Sequence, residues 1–105
     1  MKLVVVVIHA KDADPCVAAL IDSGFLCTRL ASFGGFLDRD NVTLLVGVDA
    51  AQVDEVLEIV RGHAKRRSEA LAGRPSSPGA AVPVLDVEVG GATIFVLTID
   101  RFEKL

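Results

Sequence analysis

The chain has no excess of basic charge: its Lys and Arg number 11 against 14 Asp and Glu, a formal net charge of −3. Such a balance gives no support to a nucleic-acid surface, which ordinarily carries a basic excess. The one basic run, Lys65-Arg66-Arg67, falls where a helix should end, and positive charge there suits the helix dipole. Cysteine is scarce as well. The 2 cysteines, Cys16 and Cys27, have no CxxC spacing, and each lies in a segment that reads as packed core. Free thiols in a reducing cytosol follow, so a cytoplasmic protein is expected. His9 and His63 are isolated from one another, which leaves no set of zinc ligands. No long hydrophobic run is present: Leu3 to Ile8 is far too short to cross a bilayer and lacks a secretory cleavage pattern, so it reads as a buried strand and no membrane partner is expected. Proline is limited to 4 residues, and half of the 105 residues are apolar. Residues 1–105 are expected to form one ordered domain with a single core.

What is present is a sequence of alternating elements. Lys2 to His9 is β-branched and almost wholly apolar, the pattern of a central strand covered on both faces. Asp14 with Pro15 offers a helix start, Cys16, Val17, Leu20 and Ile21 supply an apolar stripe, and Ser23-Gly24 a stop. Phe25 to Phe33 reads as a strand, Gly34 to Asp40 as a loop, and Asn41 to Val48 as a further strand interrupted by Gly47. A glycine inside a strand often marks close approach by a ligand or another backbone. Asp49 is placed to cap a second helix, with Val53, Val56, Leu57 and Val60 on its buried stripe. That helix is expected to fray between His63 and Ser68. From Ala72 to Pro83 the composition turns to Gly, Ala, Pro and Ser, a long loop of the kind that forms lids or connectors. Val84 to Val89 and Ala92 to Leu97 then read as a hairpin joined by Gly90-Gly91.

The order strand, helix, strand, strand, helix, hairpin predicts an α+β, ferredoxin-like βαββαβ fold with a long loop before the C-terminal hairpin. Two helices cover one sheet face. Because the strands are apolar on both sides and so small a chain cannot cover both, a homo-oligomer with sheets packed inward is expected.

Two segments stand out for chemistry. Thr28-Arg29-Leu30-Ala31-Ser32-Phe33-Gly34-Gly35-Phe36-Leu37, ending at Asn41, places a double glycine before two large apolar residues in a loop. Free backbone N–H groups beside an aromatic face suit a ligand that combines an anion with a flat ring, such as a nucleotide. The second is Val87-Glu88-Val89-Gly90-Gly91-Ala92-Thr93-Ile94-Phe95-Val96-Leu97. With the opening Met1-Lys2-Leu3 and the helix Val53-Asp54-Glu55-Val56-Leu57-Glu58-Ile59, these segments resemble the PII-like cyclic-di-AMP receptors, small bacterial signal-transduction proteins, almost end to end.

The resemblance implies a homotrimer with one cyclic di-AMP at each subunit interface, bound and not transformed, and loops that reorganise for a downstream protein partner not named by the sequence. Gly34–Asp40 would correspond to a shortened T-loop and Lys65–Pro83 to an enlarged B-loop. The ligand positions it carries over are Thr28, Gly35, Phe36, Leu37, Asn41 and Gly47. Phe36 and Leu37 would sandwich an adenine, a contact of about 1–3 kcal/mol. The Thr28 hydroxyl and Asn41 amide would hydrogen-bond base edges or phosphate oxygens, while Gly35 and Gly47 let backbone groups reach the ligand. Without the resemblance, an ordinary strand threonine explains Thr28 about as well, and an interface packing residue explains Phe36 slightly less well. No cofactor or metal is implied.

The chain departs from the family at Gly24 and Leu26, where members typically carry Asn and Arg, and at Phe33, where a threonine is usual. An arginine beside a ligand with two phosphate charges contributes a charge-assisted hydrogen bond of about 1.5–3 kcal/mol. Arg39 and Lys104 are the cations freest to replace it, whereas strand alternation sends Arg29 to the face opposite Thr28. A second reading is therefore a scaffold of the same architecture that senses another small metabolite or acts through a protein partner. A third, an enzyme, is disfavoured. Carboxylates are present at Asp12, Asp14, Asp38, Asp40 and Glu103, but no Asp or Glu falls at a predicted buried position beside a His, Cys or Lys where its pKa could be tuned. His9, the one imidazole near a sheet-end cleft, has no evident partner.

Overall fold

The computed structural model describes residues 1–31, 41–64, 67–72, 84–89 and 91–105, with backbone alone for residue 31 and for 67–72 and 84–89. β1 (Lys2–His9) leads into helix α1 (Ala10–Asp22), then β2 (Cys27–Ala31), β3 (Asn41–Val48), a 3-10 turn (Ala50–Gln52), α2 (Val53–His63), β4 (Arg67–Ala72), β5 (Val84–Val89) and β6 (Ala92–Thr98). β1, β3 and the stripe of α2 fall where the hydropathy pattern predicts them.

Four strands form an antiparallel sheet in the order β2-β3-β1-β6. β1 and β2 run parallel with β3 between them, and β3 and β6 run parallel with β1 between them. This is the interleaved pair of βαβ crossovers of a ferredoxin-like sheet, with β6 closing the second crossover. Both helices lie on one face. Ala13, Cys16 and Leu20 of α1 and Val56 and Val60 of α2 bury against Val4, Val6, Ile8, Val42, Leu44 and Val46.

α1 ends as the sequence predicts. Gly24 has φ +90°, its N–H donates to the Ile21 carbonyl at 2.9 Å, and the Phe25 N–H reaches back to Leu20 O at 2.9 Å. These are the two bonds of a Schellman motif. Its apolar contact is present too, since both Leu20 and Phe25 are buried in the core. Phe25, expected in the strand, belongs instead to this cap, which is why β2 starts at Cys27.

The start of α1 requires correction. The helix begins at Ala10, and its N-cap is His9, whose Nδ1 accepts the Lys11 N–H. Asp14 and Pro15 therefore lie inside the helix. Proline there removes the bond that its own N–H would have made to the Lys11 carbonyl. Asp49 likewise precedes the 3-10 turn and not α2 itself. Its N–H donates to Gln52 Oε1 at 3.2 Å, and the Gln52 N–H donates to its carbonyl at 2.9 Å.

The C-terminal hairpin is also corrected. β6 does not pair with β5; it joins the main sheet beside β1, and the Ile99 N–H extends the ladder to Met1 O. β5 pairs antiparallel with β4, from Arg67↔Val89 to Ala72↔Val84. Arg67, expected in the fraying end of α2, thus opens a strand. Gly91 does hold a positive φ of 75°. The loop from Gly34 to Asp40, with Phe33, Gly35, Phe36, Leu37 and Arg39, lies outside the described residues, as do Gly90 and residues 73–83.

Candidate functional site

The sheet face away from the helices carries the predicted ligand positions that are described. Side chains alternate along a strand, so Leu3, Val5, Val7 and His9 of β1 point to this face with Asn41, Thr43, Leu45 and Gly47 of β3. Register extends the face into rows. Thr28, Leu45, Val5 and Phe95 are successive cross-strand partners. Leu30, Thr43, Val7 and Thr93 form the next row, Gly47, Leu3 and Leu97 the row on the other side.

Thr28 and Gly47 are diagonal neighbours across β2 and β3, a separation of about 7–8 Å. Thr28 is exposed. A Cβ built on Gly47 would meet nothing within 4 Å. Among the described residues the glycine therefore answers no close approach, and they leave the space above it open to another molecule. Leu26 lies one residue beyond the β2–β3 ladder, level with Gly47, and is 87% exposed. The three residues form a small, open corner of the face.

Asn41 stands elsewhere. It is six residues from Gly47 along one strand, about 20 Å at strand rise. Its Cα partner is His9. The structure thus brings Thr28 and Gly47 together, with Leu26 beside them, and sets Asn41 at the opposite end.

The candidate cations sort by position. Arg29 is on the helix side, ion-paired with Asp14 of α1, as alternation predicts. Lys104 belongs to the exposed tail that leaves β6 beyond Thr98, at the Leu26–Gly47 end of the sheet. Within that tail Arg101 pairs with Glu103.

Along these rows the face is largely apolar. Leu30, Phe95 and Leu97 are 46%, 45% and 50% exposed, and Leu3, Val5 and Leu45 are half-buried. Their placement in one patch depends on register, so the sequence signalled it only through strands apolar on both sides.

Nothing here suits catalysis by thiol chemistry. Burial first, then the neighbouring Cys27 and Asp12, pushes the Cys16 thiol up to about 11; burial also raises Cys27. The thiolate is the nucleophile, so native Cys16 should alkylate with iodoacetamide far more slowly at pH 8 than after unfolding, as intact-mass spectra would show. Equal rates in the two states would contradict the buried placement. Among the described residues no three His, Cys, Asp or Glu are grouped to hold a metal, and no helix is long and apolar enough to cross a membrane.

These features can be set beside known proteins. The solved structure of a functionally unknown protein from Pediococcus pentosaceus ATCC 25745 is similar, with a TM-score of 0.75 and 36% identity over 99% of this chain and 96% of that one. The family model for cyclic-di-AMP receptors matches residues 1–105. With that match running the whole length of the sequence, the chain belongs to the cyclic-di-AMP receptor family.

Proposed function

We propose that this protein is a PII-like signal-transduction receptor, a single domain of residues 1–105 that binds cyclic di-AMP at the subunit interfaces of a homotrimer. It acts in the cytoplasm by changing loop conformation for a protein partner, and it binds its ligand without turning it over. The observation that carries this reading is the distribution of ligand positions over one helix-free face. Along the strand Gly47 is about 20 Å from Asn41, and Thr28, level with Leu45, is about 13 Å from it, too far to hold the same phosphate or base within one chain. A second copy laid on the apolar rows between them would supply one end of the site from each subunit. Gly35, Phe36 and Leu37 would complete the site from the loop that follows β2.

Isothermal titration with cyclic di-AMP, with ATP and cyclic di-GMP as controls, tests the reading. Selective binding near one ligand per chain is expected. No heat at high micromolar ligand would favour the second reading, a scaffold of this architecture that answers to another metabolite or to a protein partner. The observation behind that alternative is Leu26, an exposed apolar side chain at the corner where a dianion calls for a cation.

A further inference from the structure

His9 is the one imidazole at the Asn41 end of the face, and the proposed ligand set does not use it. It stands at the junction of β1 and α1, half-buried, in extended conformation with φ −61° and ψ 140°. Its Nδ1 accepts the Lys11 N–H at 3.2 Å. A ring nitrogen that accepts has its lone pair exposed, so in the neutral imidazole the proton resides on Nε2. The first turn of α1 therefore does two things to this residue. It selects the tautomer, and it holds the Nδ1 edge of the ring toward the helix. The opposite edge, Nε2–H, turns away from the atom that anchors it.

The β1–β3 ladder makes His9 and Asn41 direct partners, which puts their Cα atoms about 4.5–5.5 Å apart. We infer that His9 is a ligand-binding residue whose Nε2–H donates to an acceptor atom of the bound cyclic dinucleotide beside Asn41. The inference rests on the proposed reading of Asn41 as a ligand residue. An amide offers both a donor and an acceptor, and a preset N–H beside it adds a second donor to a ligand rich in acceptors. The tautomer is set before the ligand arrives, so no proton has to move when it binds.

The two roles of the ring, cap and donor, can be separated. Serine is a good N-cap but lacks the ring's far nitrogen. His9→Ser should keep the thermal midpoint near that of the unaltered protein while weakening cyclic di-AMP binding about three- to ten-fold, the span of one neutral hydrogen bond. His9→Ala should lower both. A second arm uses unaltered, 15N-labelled protein, in which the 2 histidines are the only imidazoles and His63→Gln assigns them. Long-range 1H–15N correlation at alkaline pH should show His9 as the Nε2–H tautomer, and cyclic di-AMP should move its Nε2 resonance and leave His63 in place. If the unaltered protein saturates while His9→Ser binds equally well, or the His9 resonance stays put, this inference falls and the proposed function stands. If the unaltered protein gives no heat, both fall.

Discussion

Replacing Leu26 with arginine is expected to tighten cyclic di-AMP binding about ten- to a hundred-fold. The figure follows from one charge-assisted hydrogen bond to phosphate, about 1.5–3 kcal/mol, at about 1.4 kcal/mol per decade of affinity. The position favours a large share of that gain. Leu26 is exposed, so the longer side chain displaces no core atom. Its neighbour Gly47 leaves open space above the sheet, and Thr28 is two residues along on the same face. Folding stability should change by less than about 0.5 kcal/mol, as at other exposed sites.

Two controls sharpen the result. Raising the salt concentration should erode the gain, because a partly exposed charge pair is screened. Arg29→Leu should leave affinity alone, since Arg29 pairs with Asp14 on the helix side, and the loss of that exposed ion pair should cost no more than about 1 kcal/mol of stability. Titrations of Leu26→Arg that match the unaltered protein would mean the phosphates do not approach this corner, and the proposed site would have to move away from the Leu26–Gly47 end of the sheet.

The parts of this molecule that sequence alone made legible are those governed by local rules. β1 and β3 are continuous β-branched runs, and Ser23-Gly24 stops α1 by the φ that only glycine adopts easily. The start of α1 was obscured because two conventional signals, Asp14 and Pro15, outweighed a histidine whose ring does the capping. Strand pairing was obscured for a different reason. Gly90-Gly91 between two β-like runs is a good local hairpin signal, yet β6 goes to β1 and β5 goes to β4. Arg67-Ser68-Glu69-Ala70-Leu71-Ala72 has little of the β-branched or aromatic character of a strand, so nothing local announced the partner that β5 would take. The site divides in the same way. Alternation alone puts Thr28 and Arg29 on opposite faces, whereas the row Thr28–Leu45–Val5–Phe95 exists only through register between strands distant in sequence. His9 was visible as an unpartnered imidazole, and its partner turned out to be the backbone of the helix that it caps.

Leu97→Glu is expected to break the proposed homotrimer into monomers. Leu97 shares its row with Leu3 and Gly47, on the face that must be covered if subunits pack sheet to sheet. In one chain it is 50% exposed, so a carboxylate there can keep its water and the fold survives. In the assembly the same carboxylate would have to be buried, at an effective cost of several kcal/mol per ion. Symmetry repeats that cost at every interface. Leu97→Ala removes only part of one apolar contact and should remain assembled. Sedimentation velocity would separate the species, and circular dichroism would confirm that the monomer is folded. Ligand binding then supplies the decisive comparison. If the site is shared between subunits, Leu97→Glu should lose cyclic di-AMP binding along with assembly, although its own side chain lies on β6, two strands from Gly47 in the same row. A monomeric variant that binds as tightly as the unaltered protein would place the whole site in one chain, and the about 20 Å between Gly47 and Asn41 would then exclude one of them from it. A variant that stays assembled would show that another surface joins the subunits.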